Sequence, residues 1–153
     1  DGVEVRLRDR ERVRKGTSEF FINVASGSWA YIMVAEDILY SEKWIDLCRR
    51  YAYTWENVVV HRIETGFEVR PIILENNANI EVMPRISRRD PVDERGVIRF
   101  SSAATNLYVP FNQWVDIGGT DSSSNEVIRE ILGAGRETHS YSLSISLMVE
   151  SPN

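Results

Sequence analysis

Apolar and polar residues alternate with a period of two along most of this chain, and the pattern shifts to a helical period in two places. The cleanest alternation lies at residues 140–149. Tyr141, Leu143, Ile145, Leu147 and Val149 fall on one side, and Ser140, Ser142, Ser144, Ser146 and Met148 on the other. A strand with one buried face produces this pattern. The first set is expected in a core; the small serines suit either solvent or close packing on a second surface. Residues 5–14 alternate as well, but with charge: Arg6, Arg8, Arg10, Arg12 and Arg14 take every second position. In a helix they would stack like charges at i,i+4, which is unfavourable. In a strand all five point to one face, while Val5, Leu7 and Val13 share the other with Asp9 and Glu11. A strand is expected.

Other β-rich runs lie at 18–24 and 28–34, parted by the turn signal Ser26-Gly27, and at 79–86, 96–100, 106–109 and 114–117. In the first helical stretch, Trp44, Leu47, Cys48 and Tyr51 recur at helical spacing, with Ser41 placed to cap the first turn. From Tyr53 the period changes. Thr54, Trp55, Val58, Val59, Val60 and Ile63 predict a long strand closed by Pro71, with Val58 and Val60 in the core. In the second helical stretch Ser123 and Glu126 form a capping box, Val127, Ile128, Ile131 and Leu132 a stripe, and Gly133 a stop. About nine short strands with two helices in the connections predict a mainly β fold. The expected architecture is a single jelly-roll β-sandwich with short helices in its connections, one domain over residues 1–153.

Composition narrows the function classes. With 153 residues, 42% of them apolar, the chain is long enough to bury its own core. No run approaches the roughly 18 apolar residues of a membrane helix, so no membrane partner is expected. Nothing at the start resembles a signal peptide. A lone cysteine, Cys48, allows no internal disulfide, and no Asn-x-Ser/Thr sequon occurs, so a reducing compartment is expected.

Charge is unevenly placed. The chain carries net −5, yet its first 15 residues hold six basic and four acidic side chains. Only Lys15 and Lys43 are lysines; the other cations are arginines, the residue suited to planar, bidentate contacts with phosphate or carboxylate. Five arginines on one strand face repel unless something anionic lies opposite. That partner is nucleic acid, or carboxylates of a neighbouring strand or subunit; the plain alternative is a solvated edge where charge discourages pairing.

Three segments carry a family resemblance. The opening VRLRDRERV resembles a first shell strand holding an Arg-Glu pair, here Arg10-Glu11 with Arg12 beside it. Residues 44–71 are similar to a helix ending in spaced aromatics that enters a long strand closed by proline. Residues 80–93 look like the following strand and its Asp-containing exit loop. Together they resemble the single jelly-roll coat proteins of small icosahedral viruses, both tombus- and sobemo-like plant RNA viruses and circular single-stranded DNA viruses. The resemblance implies a structural protein of the virion, assembled inside the host cell as many copies closing a shell around viral RNA or DNA. It implies phosphate contacts without sequence reading by Arg6, Arg8, Arg10, Arg12, Arg14 and Lys15, with Arg85, Arg88 and Arg89 as further candidates. Such proteins usually carry a long basic arm, whereas this chain opens on a mixed-charge segment. Many plant members bind calcium between subunits through aspartates. Asp90 and Asp93 fall in the corresponding loop, where an Asp-Pro turn explains them as well; no cofactor is expected.

Enzyme chemistry is hard to assemble from these residues, and no enzymatic activity is expected. His61 and His139 are the only histidines, and His61 sits in an apolar run. Cys48 falls on an apolar helical stripe, where packing is the commoner role, although Arg49 and Arg50 adjoin it. Neither a metal-ligand spacing nor a phosphate-binding glycine loop occurs. The competing class is a β-sandwich binding module for carbohydrate or protein, with Trp29, Tyr31, Trp44, Tyr53, Trp55 and Trp114 as candidate stacking platforms.

Overall fold

The computed structural model describes residues 2–11, 16–52, 62–88, 96–116, 122–134 and 143–150. In chain order these form β1 (Gly2–Glu11), β2 (Gly16–Ala25), β3 (Ala30–Leu39), α1 (Glu42–Tyr51), β4 (Arg62–Ile73) and β5 (Asn77–Arg88). Next come β6 (Val97–Arg99), a single 3-10 turn (Ser101–Ala103), β7 (Thr105–Pro110), β8 (Val115–Asp116), α2 (Ser122–Gly133) and β9 (Leu143–Glu150). One sheet has the order β2-β1-β9-β8. The other runs β3-β4-β5, with β6 and β7 sharing the far side of β5. All described pairings are antiparallel. The fold is mainly β, two antiparallel sheets with two short helices, consistent with a β-sandwich.

Period-two patterning decides which faces meet. On β1, Val3, Val5 and Leu7 are buried, and the ladder sets Val5 opposite Val149 and Leu7 opposite Leu147 of β9. On β4 the buried set is Ile63, Thr65, Phe67 and Val69; on β5 it is Ala78, Ile80, Val82 and Ile86. These inner faces join one continuous core with the apolar stripes of the helices. From α1 it takes Trp44, Leu47 and Cys48, and Trp44 packs 6.5 Å from Phe100, centroid to centroid. From α2 it takes Val127, Ile128, Ile131 and Leu132.

Two prolines show how strands accommodate a residue with no N–H. The long strand does not stop at Pro71, as the sequence suggests, but continues to Ile73. Pro71 lies beyond the last β3 partner, Val69, where β4 has become an edge. Pro84 falls between the stretch of β5 that pairs β7, ending at Val82, and the stretch that pairs β6, starting at Arg85. It marks the point where one neighbour gives way to the next. The Ser26-Gly27 turn forms as expected, with Gly27 at φ 82°. It is fastened to the end of β4: Gly27 N–H donates to the Pro71 carbonyl at 2.7 Å, and Ser26 Oγ accepts from Ile73 N–H at 2.9 Å.

Two capping expectations are corrected. Ser41 occupies the N-cap position of α1 with extended backbone, yet its side chain makes no capping bond. α2 begins at Ser122, so Ser123 lies inside the helix rather than at its cap, and Glu126 reaches across to α1 instead. Val58 and Val60, expected in the core, and His61 lie outside the described residues.

Candidate functional site: arginine rows on both sheet faces

Because β1 buries Val3, Val5 and Leu7, it turns Arg6 and Arg8 to the outer face of its sheet. Cross-strand register then decides their company. Arg6 lies opposite Phe21 on one side and Met148 on the other. Its guanidinium stands 2.9 Å from Glu4, 3.2 Å from Glu150 and 3.8 Å from Glu19, and 6.0 Å from the centre of the Phe21 ring. The two closest contacts, from Nε, are ionic rather than aligned hydrogen bonds, since that atom has no hydrogen-bond partner among the described residues. Arg8 lies over the Trp114 ring at 4.0 Å, a cation–π stack. Arg10 is placed by its backbone alone, opposite Thr17 and Ser144. Arg12, Arg14 and Lys15 lie outside the described residues, as do Arg89, Asp90 and Asp93.

The five-stranded sheet carries a second row, of which the sequence pointed to Arg85, Trp29 and Tyr31 but not to the carboxylate that gathers its arginines. Its centre is Glu68 on β4. Arg99 reaches it with Nε at 2.6 Å and a second nitrogen at 3.1 Å, and Arg85 reaches it at 3.3 Å. Arg85 and Glu68 are only 14% and 13% exposed, so this pair is far less screened than an ordinary surface bridge. Arg85 also stacks over Tyr31 at 4.2 Å. The Tyr31 ring lies against Gly66, where a side chain of any size would collide with it. Burial pushes the Tyr31 hydroxyl above its ordinary pKa, and the nearby Glu64 carboxylate adds to the shift. Glu64 in turn accepts from Ser87 at 3.1 Å. Farther along the same face Arg70 pairs with Glu81 and stacks over Trp29 at 5.1 Å. Tyr108 is exposed beside it and accepts from Asn77 at 2.7 Å.

A third charged cluster joins the helices. Arg50 of α1 donates to Glu126 of α2 at 2.6 and 2.7 Å and to Asp46 at 2.8 and 3.2 Å, and the Tyr51 hydroxyl donates to Glu126 at 2.6 Å. Arg50 and Tyr51 together hold the Glu126 carboxyl below its ordinary pKa. Lys43 adds a bridge to Glu130 at 2.7 Å. A cavity of about 390 Å³ opens beside this cluster, lined by Tyr51, Ala52, Arg99, Ser101 and Ser102.

Several sequence candidates acquire a definite place. Cys48 is fully buried beside Tyr40. Burial pushes its thiol up to about 11, against the Tyr40 hydrogen bond, which acts the other way. That is the opposite of an activated nucleophile. Trp44 is core, Trp29 is exposed, and Trp114 is half-buried under Arg8. Tyr53 and Trp55 lie outside the described residues. Among the described residues no cluster of His, Cys, Asp and Glu is arranged to hold a metal ion, and no helix is long and apolar enough to cross a membrane. The signal for the Glu68 row was present as charges an even number of positions apart, Glu64, Glu68 and Arg70, then Glu81 and Arg85. Finding it needed the register that sets Gly66 opposite Arg85 and Arg85 opposite Arg99. Comparison with protein-family models, curated proteins and solved structures found no match for this chain.

Proposed function

We propose that this chain is a self-assembling structural subunit, a capsid protein whose copies close an icosahedral shell around a nucleic-acid genome. One observation carries the reading: both outer sheet faces present arginine, aromatic and methionine side chains. Phe21 is 65% exposed on one face; Trp29, Met33 and Tyr108 are 46%, 45% and 62% exposed on the other. These residue types are enriched where proteins meet proteins. A subunit of a closed shell must meet neighbours on more than one flank, and symmetry multiplies contacts that are weak singly.

The proposal does not depend on strict jelly-roll winding. In a jelly roll successive strands alternate between the sheets; β2 to β3 and β7 to β8 do so, whereas β3 to β7 stay in one sheet. Its nucleic-acid part rests on the remainder of the arginine row. Arg6 already faces three carboxylates and Arg8 a tryptophan ring, so phosphate contact falls mainly to Arg10, Arg12, Arg14 and Lys15. Such contact reads no sequence and weakens as salt rises. The virion is the proposed location, with assembly inside the host cell.

Size-exclusion chromatography with light scattering, read at two absorbance wavelengths, tests the reading. A very large particle carrying nucleic-acid absorbance is the expected result. A monomer of 17.6 kDa across several salt concentrations would overturn it.

A second reading has its own observation. Trp29 and Tyr108 are exposed on a face that also carries Asn77, Asn79, Glu81 and Arg70. Aromatic rings beside amide and charged groups form the kind of platform on which sugar rings stack. A Trp29→Ala variant that loses oligosaccharide-induced fluorescence changes, in a protein that stays monomeric, would favour a carbohydrate-binding module over a shell.

A further inference from the structure

Sheet edges invite pairing unless something blunts them, and among the described strands three edges are blunted. β3 slips register twice against β4, between Met33 and Ala35 and again between Ala35 and Ile38. It also carries Glu36 and Asp37 there, with Asp37 at φ 62°. β8 is two residues long. The far side of β5 is covered by two short strands, of which β6 has three residues and β7 ends in Pro110.

β2 differs on each count. It is ten residues long and, among the described strands, terminal in its sheet, and its ladder to β1 runs unbroken from Gly16 to Ala25. It contains no proline and no lysine, and its one charged residue is Glu19. Its apolar residues are incompletely covered. Val24 is buried, but Phe20 and Ile22, on the same inner face, are half-buried, and Phe21 on the outer face is 65% exposed.

We infer that β2 is an assembly edge that pairs antiparallel with β2 of a second copy, joining two four-stranded sheets into one continuous sheet. A two-fold axis normal to a sheet keeps each residue on its own face, so the residue on the axis must pair with itself. With Phe21 on the axis, the strands overlap along nearly their whole length. The two phenyl rings then meet across the axis, and Glu19 of each copy lies opposite Asn23 of the other, so no like charges face one another. Main-chain hydrogen bonds supply the affinity and the aromatic pair fixes the register. The inference deepens the assembly reading by naming one contact, but an edge-paired dimer would exist whether or not a shell forms.

Two variants of the full chain test it, each with its fold checked by circular dichroism. Phe21→Lys sets two ammonium groups opposite each other across the axis. Within one copy the lysine also lies opposite Arg6, whose partners Glu4, Glu19 and Glu150 offset the added charge in part. For that reason the fold is checked and Phe21→Cys is run beside it. Phe21→Cys sets two thiols opposite each other, and the chain's own Cys48 is buried. At concentrations where the wild type sediments at twice 17.6 kDa or more, Phe21→Lys should reduce the mass to that of the monomer, at least a two-fold drop. Phe21→Cys should yield a covalent dimer under mild oxidation. A Phe21→Lys protein that is folded and keeps the wild-type mass overturns the inference, as does a Phe21→Cys protein that forms no covalent dimer. Large particles that survive Phe21→Lys sink the edge pairing and leave the assembly reading standing. A wild type that stops at a dimer split by Phe21→Lys supports the edge pairing and sinks the shell. A wild type that is monomeric throughout overturns both.

Discussion

Gly66→Ala is expected to be among the most damaging single changes on the outer face of the five-stranded sheet. An alanine Cβ at this position would lie 2.2 Å from the Ile32 carbonyl oxygen, and 2.8 and 2.9 Å from Cε1 and Oη of Tyr31. The tyrosine ring can swing away; the carbonyl belongs to the backbone of β3. Relief requires β3 to move off β4, next to the point where their register already slips. Overpacking a tight site costs about 1–3 kcal/mol, and a backbone obstacle places this change at the upper end, about 3 kcal/mol. For a chain of this size each kcal/mol lowers Tm by about 2–4 °C, which gives a fall of about 6–12 °C. Thermal melting by circular dichroism or calorimetry measures it. Removing the ring as well separates the two obstacles. If the Ile32 carbonyl is the controlling contact, Gly66→Ala should be almost as costly in a Tyr31→Ala background as in the wild type. A fall below about 2 °C, less than 1 kcal/mol, or complete rescue by Tyr31→Ala, would refute the argument.

Three other outcomes are expected. Glu68→Ala leaves the Arg85 and Arg99 guanidiniums without their shared carboxylate and should cost about 2–3 kcal/mol in chemical denaturation, in the range of charged hydrogen bonds; Glu81→Ala, whose pair with Arg70 is more exposed, should cost less. Because the folded-state pKa of Glu126 is depressed, its stabilising contribution is complete above the ordinary carboxylate range and is lost as pH falls below that range through the lowered pKa. Glu126→Gln should therefore flatten the acid limb of stability against pH, and an unchanged limb would show that the Arg50 contact does not couple to folding. Cys48, buried and with its thiol pushed up to about 11, should resist alkylation at pH 8 in the native protein and react once denaturant unfolds it; rapid native labelling would contradict its place in the core.

The sequence made the mainly β class legible because one-sided burial repeats every second residue. Val5 and Leu7 opposite Arg6 and Arg8 on β1, and Leu147 and Val149 on β9, emerge as the pattern requires. Both helical stripes were likewise readable from spacing, and Trp44, Leu47, Cys48, Val127, Ile128, Ile131 and Leu132 are all buried. Strand limits were harder to read. Pro71 looks like a stop along the chain, yet what decides is whether a neighbour needs its N–H, and that is a property of β3. Partners were the least legible part. The row Arg6 to Arg14 shows where cations point, but not that Glu4, Glu19 and Glu150 gather around Arg6, since those residues come from three different strands. The partners of Glu68 were hidden for the same reason: its two arginines lie on β5 and β6.

The pairing of β1 with β9 sets Val5 beside Val149 and so closes the four-stranded sheet with two strands that lie far apart along the chain. Until β9 has been made, β1 and β2 can form a hairpin, but Val3, Val5 and Leu7 have a partner strand on one side only. The loop that β9 closes contains β2 to β8 and both helices, and forming it carries a correspondingly large entropic barrier. A polypeptide without β9 would therefore lack a finished sheet. Arrival of β9 thus acts as a clock for this sheet: only a copy that has reached it can present the completed outer face that carries Arg6 and Arg8.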